Sequence, residues 1–316
     1  MFIKYYNPNL HYAQNGFRYN NYTYFLKEKF GDRVQRISID GGFTCPNRDG
    51  TKGTSGCIYC NNRSFSPFIK LKNHSIKSQV TAGFNYFHKL NATKFIAYFQ
   101  SHTNTYASVT ELRKKYYEAI KFPEIIGIAI STRPDCLNNE TLELLKELNK
   151  STYLNVEIGI ESVYDKSLNW MNRKHDYDTT VKAIEKLNEL EIDVTGHIIL
   201  GLPTETQNEM LEMTKYLNKL SLKFLKIHHL QIIKNTPLAK LYEDDPFKVF
   251  KYNDYIKFIA NFISHLQPNI ILQRVFSSSP MEYLIAPIWD RKTPEIIMDL
   301  QKFMRDNDLY QGKYYL

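Results

Sequence analysis

The sequence predicts an α/β protein whose core is a partial TIM-like barrel of six β/α units. Short hydrophobic stretches of strand length recur along the 316 residues, and each is followed by a segment with helical periodicity. We expect the strands at 36–40, 94–99, 125–131, 153–159, 194–200 and 224–230. This alternation favours a parallel sheet covered by helices, and six units are too few to close an eight-stranded barrel.

The pattern divides the chain into three segments. Residues 1–34, rich in Tyr and Asn, form an N-terminal extension with one short helix, and residues 35–249 form the barrel core. Residues 250–316 are expected to form a C-terminal extension that is mostly helical. The core contains an unusual loop at 41–65, directly after the first strand, which is where barrel enzymes carry their chemistry.

Two of the helices have a recognisable start. Ser108 is followed by Glu111, and Thr206 is followed by Glu209, which is the spacing of a capping box. We therefore expect helices to begin directly after Ser108 and Thr206.

The composition indicates a globular protein. Hydrophobic residues make up 43% of the chain, and no apolar run approaches the ~20 residues that span a bilayer. The N-terminal sequence MFIKYYNPNL lacks the apolar region of a signal peptide, and four cysteines are few for an exported protein. We expect a cytoplasmic protein without a membrane partner.

Three of the four cysteines lie in the loop at 41–65. Cys45, Cys57 and Cys60 follow the pattern C-x11-C-x2-C, and the Gly-rich residues between them allow the backbone to wrap around a bound group. Closed structural zinc sites and ordinary iron-sulfur clusters use four protein ligands. Three thiolates therefore indicate a metal centre with one open position.

Two other interpretations of the three thiols stay open at this point. The thiols are structural and bind nothing, or they belong to a zinc site whose fourth ligand is His74, Asp40, Asp49 or Cys136. The loop contains only one C-x-x-C hook and is rich in turn-forming residues, which argues against both interpretations.

The cysteine loop, GFTCPNRDGTKGTSGCIYCNNRSF, resembles the motif of radical S-adenosylmethionine (SAM) enzymes. The stretches DGGFTCPNRDG, FQSHTNTYA, STRPDC, GLPTET, IAPIW and QGKYY resemble the YhcC-like family, close to the Elongator catalytic subunit and the oxygen-independent coproporphyrinogen oxidases. The resemblance implies a radical SAM barrel, a 4Fe-4S cluster held by Cys45, Cys57 and Cys60, and SAM on the unligated iron. It also implies a reducing electron donor such as flavodoxin or ferredoxin.

The resemblance implies which residues contact SAM. All of them follow a strand end or lie in the cysteine motif. Tyr59 is expected near the adenine, Gln100 and Ser101 near the amino group, and Arg173 at the carboxylate. Ser131, Glu161 and His197 are expected at further polar positions. The charge of Arg173 suits a carboxylate partner, and a surface ion pair is the alternative. Ser131, Glu161 and His197 differ from the residue types that the porphyrin branch has at these positions.

Three further side chains near the strand ends carry reactive groups. Cys136 follows the third strand and is a candidate hydrogen-atom donor to a substrate radical, with a small buried hydrophobic residue as the alternative. His228 and His229 alternate on the sixth strand, so one of the two should face the barrel interior.

The distribution of charge indicates the partner. The chain has 41 Lys and Arg against 33 Asp and Glu, yet no acidic residue occurs between residues 50 and 110. Such a surface attracts a polyanion such as tRNA. Because the Elongator branch acts on the wobble uridine of tRNA, the resemblance implies modification of a C5 side chain there, for example conversion of carboxymethylaminomethyluridine to aminomethyluridine.

Two alternative functions remain at this stage. One is a radical SAM enzyme that acts on a small metabolite or a porphyrin, for which the basic surface attracts carboxylates. The other is a zinc-stabilised RNA-binding module without catalysis.

Overall fold

The computed structural model describes residues 16–64 and 75–315 of the chain. Seven parallel strands lie side by side in chain order and curl into a half-barrel, which confirms the partial barrel. The strands are β1 (Val34–Ile39), β2 (Lys94–Phe99), β3 (Ile125–Thr132), β4 (Tyr153–Glu161), β5 (Asp193–Leu200), β6 (Phe224–His229) and β8 (Ile271–Arg274). A separate antiparallel ribbon pairs β7 (Ile232–Ile233) with β9 (Leu284–Ala286).

Helices connect the successive strands of the sheet, as parallel neighbours require. The helices of the described residues are α1 (Tyr22–Phe30), α2 (Ile76–His88), α3 (Val109–Ala119), α4 (Asn139–Ser151), α5 (Asp165–Trp170), α6 (Tyr177–Glu189), α7 (Gln207–Leu217), α8 (Pro237–Asp244), α9 (Tyr252–His265) and α10 (Thr293–Asp306). Not one of these described helices combines the length and the apolar character that a membrane span requires.

The sheet contains one strand more than the sequence predicts. β8 comes from the segment 250–316 and extends the sheet beyond β6, with Phe224 opposite Ile271 and Leu225 opposite Leu272. Only the first two residues of this four-residue strand are buried, so its hydrophobic pattern is too short to predict a strand. The rest of the segment is mostly helical, as expected, since α9 and α10 lie in it. The three segment boundaries stay predictions.

Helix α1 closes one end of the half-barrel. It packs against both edge strands, β1 and β8. Tyr22 and Phe25 meet the ring of Phe224 edge-on, at centroid distances of 5.3 and 5.1 Å. Just before the helix, the carbonyl of Asn20 accepts the N–H of Leu272 at 2.8 Å. Apolar side chains thus fill the amino ends of the strands, and the carboxyl ends remain free for a site.

The main apolar core lies between the sheet and the helices. Ile37 and Phe95 project from the outer face of the sheet and are fully buried, and Phe84 of α2 lies 4.9 Å from Phe95 between ring centroids. Gly83 lets α2 come this close, because a Cβ atom there would lie 2.5 Å from Cγ2 of Ile37. Tight packing on the outer face leaves the inner face of the sheet available for polar residues.

Both predicted helix starts are confirmed. At the start of α7 the Thr206 hydroxyl accepts the N–H of Glu209, and the Glu209 carboxylate accepts the N–H of Thr206, which completes a capping box. At the start of α3 the Ser108 hydroxyl accepts the N–H of Glu111 at 3.3 Å. These caps fix where each chain segment turns from the strand end into its helix.

Candidate active site

A cavity of about 250 Å³ opens at the carboxyl ends of the strands. It is lined by most of the residues that the sequence singles out, namely Cys45, Cys57, Tyr59, Cys60, Gln100, Ser131, Glu161, Arg173 and His197. Ser101 and Cys136 are not among its lining residues. The fold therefore brings the cysteine loop and the polar strand ends to one space.

The cysteine loop is a series of tight turns. The N–H of Arg48 donates to the carbonyl of Cys45 at 2.8 Å, and the N–H of Cys60 donates to the carbonyl of Cys57 at 3.1 Å. Gly56 has a φ of 72°, which an L-residue rarely adopts. All three cysteines are free thiols and face the same cavity.

Two asparagines hold the cysteine loop against the turn after α5. Asn47 is fully buried, and its Nδ2 donates to the carbonyl of Asn172 at 2.6 Å and to Sγ of Cys57 at 3.7 Å. In return, Nδ2 of Asn172 donates to the carbonyl of Gly56 at 2.7 Å. Gly53 leaves room for this arrangement, because a Cβ atom there would lie 2.5 Å from Oδ1 of Asn47. The loop is thereby fixed to the turn after α5 through reciprocal amide contacts.

Arg173 lies behind the cysteines and not on the surface, since only 6% of the residue is exposed. Each nitrogen of its guanidinium has a partner in the protein. Nε contacts Nε2 of His175 at 3.2 Å, Nη1 contacts the Tyr59 hydroxyl at 3.3 Å and Sγ of Cys57 at 3.6 Å, and Nη2 donates to the carbonyl of Gly159 at 2.8 Å. The surface ion pair is therefore wrong as an alternative, and a contact with SAM stays a prediction.

Glu161 completes the surroundings of Arg173. Its backbone is left-handed, with a φ of 64°, and its Oε1 lies 3.6 Å from Nη1 of Arg173. Gly159 is required by this close approach, because a Cβ atom there would lie 2.6 Å from Oε1 of Glu161 and 2.8 Å from Nη2 of Arg173. Burial acts to lower the pKa of Arg173, but Tyr59, Cys57 and Glu161 outweigh it and raise the pKa well above its ordinary value.

The surroundings of Cys60 disfavour the charged form of its thiol. Burial and the neighbouring Cys57 raise the pKa of Cys60 to about 11, although Arg48 opposes this shift. Nη2 of Arg48 donates to the carbonyl of Cys60 at 2.9 Å. Burial acts to lower the pKa of Arg48, but Cys60, Cys45 and Cys57 outweigh it and raise the pKa. Three free thiols that line one cavity are a donor set that fits a cationic iron-sulfur group.

The inner face of the sheet carries a layer of polar side chains around the buried carboxylate of Glu157. Its Oε2 accepts hydrogen bonds from the Tyr98 hydroxyl at 2.7 Å and from Oγ of Ser131 at 3.1 Å. Nε2 of His197 contacts the same oxygen at 2.8 Å, and Nζ of Lys226 lies 3.2 Å away. Two of the predicted SAM contacts, Ser131 and His197, are thus held by Glu157.

Arg36 neutralises the second oxygen of Glu157. Its guanidinium forms an ion pair with Oε1 and lies over the Tyr98 ring, 3.7 Å from the centroid. Burial acts to raise the pKa of Glu157, but Arg36, Lys226 and His197 hold it well below its ordinary range. Glu157 is therefore ionised near neutral pH although it is 1% exposed.

The two histidines nearest this layer are neutral near pH 7. Burial lowers the pKa of His197, and the charge of Lys226 lowers it further. Burial and Arg274 likewise lower the pKa of His228. His228 faces the interior, 5.7 Å from His197 between ring centroids, whereas His229 is buried and stacks on Trp289 at 3.9 Å. A neutral imidazole donates one hydrogen bond and accepts another, and Nε2 of His197 is the donor to Glu157, so these rings add polarity without adding charge.

Two predicted residues lie apart from the cavity lining. Ser101 is 1% exposed, and its hydroxyl has no partner within residues 16–64 and 75–315. Cys136 is half-buried with its Sγ 3.8 Å from Oδ1 of Asp135, and burial together with Asp135 raises its pKa to about 12. Its role as a hydrogen donor stays a prediction, with no contact in the cavity to support it.

The candidate fourth ligands for zinc have other partners or lie elsewhere. Asp40 accepts the N–H of Gly42 at 2.9 Å, and Asp49 accepts the N–H of Thr51 at 3.0 Å, so both carboxylates stabilise turns. His74 lies outside the described residues. In the part of the chain that the structure describes, no group of three His, Cys, Asp or Glu side chains is placed to hold a single metal ion; Cys45, Cys57 and Cys60 share the cavity lining without forming such a group.

Several cavity residues escaped the sequence analysis. They are Arg48, Tyr98, Glu157, Lys226 and Arg274. A signal for two of them existed, because Glu157 lies within YLNVEIG and Lys226 within FLKIHHL, and a charged residue inside a buried strand is unusual. No comparable signal marks Arg274, since its strand was not predicted.

The acid-free part of the chain is partly involved in internal contacts. Nζ of Lys52 lies 2.6 Å from Oδ2 of Asp135, so this lysine joins the cysteine loop to the end of β3. Lys77 lies in α2 and Lys89 directly follows this helix, and both side chains are exposed. Lysines within residues 65–74 lie outside the described residues.

Comparison with known sequences identifies the chain's relatives. Residues 45–217 match the Radical SAM superfamily, and residues 222–306 match the Radical_SAM C-terminal domain. The chain is 35% identical over 305 residues to the uncharacterized protein YtqA of Bacillus subtilis, covering 96% of this chain and 95% of that protein. It is 31% identical over 283 residues to protein YhcC of Escherichia coli K12, covering 89% and 91%.

At lower sequence identity, the chain is also similar to proteins with other names. A tRNA uridine(34) acetyltransferase of Methanocaldococcus infernus is 22% identical over 179 residues, which are 54% of this chain and 32% of that protein. Among solved structures, the chain is similar to the archaeal Methanocaldococcus infernus Elp3 with an N-terminal deletion, with a TM-score of 0.69 and 16% identity. That match covers 88% of this chain and 64% of the other, and it shows a common fold.

Replacing Glu157 by Gln tests the central carboxylate. The amide keeps the shape but leaves Arg36 and Lys226 without their counter-charge, so we expect the free energy of unfolding to fall by about 3–5 kcal/mol. Glu147→Gln is the matched control, because its ion pair with Arg113 is about half exposed, at 50% and 44%, and is worth at most about 1 kcal/mol. Urea titrations measure both; equal losses in the two variants would contradict this role.

Lys226 makes stability depend on pH. Burial lowers its pKa to about 7, with Arg36 and Arg274 assisting and Glu157 opposing. An unfolded lysine has a pKa of about 10.4, so above about pH 7 the unfolded chain keeps a proton that the folded chain releases, and stability rises with pH.

Lys226→Met removes this contribution. Between about pH 7 and 9, the free energy of unfolding of the wild type should therefore increase relative to that of the variant, by up to about 1.4 kcal/mol per pH unit. Below about pH 6 the difference between the two proteins should not change with pH. A difference that stays constant over the whole range, measured in urea titrations, would refute the lowered pKa.

Proposed function

The chain belongs to the radical SAM superfamily, and on this premise we propose that it cleaves SAM reductively to modify the C5 side chain of a tRNA wobble uridine. A 4Fe-4S cluster and SAM are the cofactors of this superfamily, in which the reduced cluster supplies a 5'-deoxyadenosyl radical from SAM. The observation that carries the proposal is the shared cavity, which has three free thiols on one side and a polar layer on the other.

We assign the cluster to Cys45, Cys57 and Cys60. The donor set fits, because three thiols without a fourth protein ligand leave one position of the cluster open. Arg48 offsets part of the negative charge, and Asn47 and Arg173 both place N–H groups toward Sγ of Cys57. Hydrogen bonds to cluster sulfurs tune the stability of the reduced form.

SAM is assigned to the space between the cysteines and the polar layer. The residues proposed to surround it are Tyr59, Gln100, Ser131, Glu161, Arg173 and His197. Ser101, whose side chain lies off the cavity lining, is proposed to contribute through its backbone. Glu161 suits the amino group of SAM because it is an acidic side chain that lines the cavity. Arg173, whose nitrogens already have partners, positions Tyr59 and Glu161 as well as carrying the charge that attracts the SAM carboxylate.

Two features support tRNA as the substrate. The similarity to a tRNA uridine(34) acetyltransferase is spread over about half of this chain, although it covers only 32% of that protein. In addition, the chain carries no acid between residues 50 and 110, and part of this stretch lines the cavity. Phosphates of a folded RNA are attracted to such a surface at low salt.

The proposed reaction converts a carboxymethylaminomethyl group to an aminomethyl group. The methylene next to the carboxylate loses a hydrogen atom and then an electron, and forms a C=N bond to the side-chain nitrogen. Water adds to this bond, the carbon–nitrogen bond breaks, and glyoxylate leaves. SAM is the two-electron oxidant, since its conversion to methionine and 5'-deoxyadenosine takes up the hydrogen atom and the electron. Flavodoxin or ferredoxin is the proposed source of the priming electron, and the cytoplasm is the proposed location.

Cys60→Ala tests the cluster assignment. We expect anaerobically reconstituted wild-type protein to contain about four irons per chain, and the variant to lose most of its iron and its visible absorbance, because two thiolates hold the cluster poorly. Cys136→Ala is the matched control and should keep its iron. Iron and sulfide analysis decides the question, and an unchanged iron content in Cys60→Ala would overturn the ligand set.

Analysis of tRNA nucleosides tests the substrate. Cells that lack the gene should accumulate the carboxymethylaminomethyl nucleoside and lack its aminomethyl derivatives, as measured by mass spectrometry. The purified enzyme with SAM and a reductant should reverse this in tRNA from those cells, and its tRNA affinity should fall with increasing salt. Unchanged nucleosides combined with intact SAM cleavage would favour a small metabolite or a porphyrin instead.

A further inference from the structure

We propose that Arg274 forms an anion subsite in the cavity that holds the carboxylate of the substrate's side chain. The identity of the substrate rests on the proposed function, whereas the anion subsite rests on contacts and charges of the cavity itself. Arg274 is the last residue of β8, lies opposite Lys226 in the sheet, and lines the cavity on the side away from β1.

Arg274 is a cation without a counter-ion. No ion pair and no hydrogen bond of its side chain exists within residues 16–64 and 75–315, and its side chain is exposed to the cavity. The nearest acidic group in the layer, Glu157, already has Arg36 and Lys226 as ionic partners. Burial lowers the pKa of Arg274 and Arg36 adds to this effect, whereas Tyr98 and Glu157 oppose it without cancelling it, so the site favours the arrival of a further negative charge.

The other cations of the cavity have partners. Arg133 pairs with Asp135 at 2.8 Å, and Arg173 lies 3.6 Å from Glu161. Lys226 lies 3.2 Å from Glu157, and Arg48 faces the cysteines. Among the cations of the described cavity lining, Arg274 is therefore the one whose charge a ligand would have to neutralise.

The loop after β8 provides neutral hydrogen-bonding groups beside Arg274. Ser278 lines the cavity and is exposed, and Ser277 is fixed by its N–H, which donates to Nδ1 of His229 at 3.1 Å. His228 is neutral and lies on the same side. Hydroxyl groups next to a guanidinium are the usual surroundings of a bound carboxylate.

A carboxylate fits this site better than a phosphate of the RNA backbone. Arg274 lines the cavity on the inner face of the half-barrel, so a group must enter the cavity at the strand ends to reach it. A planar guanidinium binds a carboxylate through two parallel hydrogen bonds, which also fixes the orientation of the attached methylene. The carboxylate would then hold the methylene toward the cysteine side of the cavity.

Ligand pairs that differ in one charge test the subsite. Binding to the reconstituted, SAM-loaded protein is measured by calorimetry for N-methylglycine and its amide, and for anticodon stem-loops that carry the carboxymethylaminomethyl group or its carboxamide. We expect the wild type to prefer each carboxylate over its amide by about tenfold or more. Arg274→Gln should remove this preference, and Arg274→Lys should restore part of it.

The control variant is Arg305→Gln, which changes an exposed arginine of α10 and should keep the preference. Loss of the preference in Arg274→Gln with normal iron content supports the subsite. A preference that persists in Arg274→Gln, or that is absent in the wild type, overturns it. The subsite is also overturned if the only defect of Arg274→Gln is weaker binding of SAM.

The two proposals fail in different ways. If N-methylglycine binding depends on Arg274 but neither stem-loop binds, the anion subsite stands and tRNA is wrong as the substrate. If the stem-loop is bound and converted with equal efficiency by wild type and Arg274→Gln, the proposed function stands and the subsite falls.

Discussion

The buried carboxylate of Glu157 is the interaction on which the site depends. A barrel interior is normally filled with branched apolar side chains, and here it carries Arg36, Lys226 and His197 instead. Cations in such a place are costly unless an ionised partner compensates them, and Glu157 supplies that partner from the middle strand of the sheet. Because polar side chains replace apolar packing, the carboxyl ends of the strands enclose a polar cavity.

A second constraint fixes the cysteine loop relative to this layer. Asn47 and Asn172 exchange amide contacts between the loop and the turn after α5, and Arg173 extends from that turn to Cys57, Tyr59 and the end of β4. The thiols are therefore positioned by a chain segment more than a hundred residues away. A group bound by the thiols would therefore lie at a defined distance from the polar layer. Such a fixed distance is needed if the reaction is to remove one particular hydrogen atom of the substrate.

The sequence predicted the elements with strong local signals. The six longer strands, the caps at Ser108 and Thr206, and the grouping of Cys45, Cys57 and Cys60 follow from periodicity, capping and spacing. β8 was missed because its four residues show too little pattern, and Arg274 was missed with it. The role of Glu157 depends on contacts between strands that are distant in the sequence, and a single sequence contains no register from which those contacts follow.

The same limit explains the residues that lie elsewhere than expected. Ser101 and Cys136 follow strands at positions that suggested a site, yet the local turns direct them away from the cavity lining. Arg173 is a buried centre of contacts, which its position in the sequence does not reveal. Such details depend on side-chain packing, whereas the position of the cavity depends only on the order of strands and helices.

We propose that the cavity brings the radical derived from SAM next to the methylene that carries the substrate's carboxylate. The most direct test uses a tRNA whose carboxymethylaminomethyl group is deuterated at that methylene. The mass of the 5'-deoxyadenosine formed in a single turnover is then measured. We expect this product to gain one deuterium as the aminomethyl group appears. Undeuterated 5'-deoxyadenosine accompanying the same conversion would contradict it.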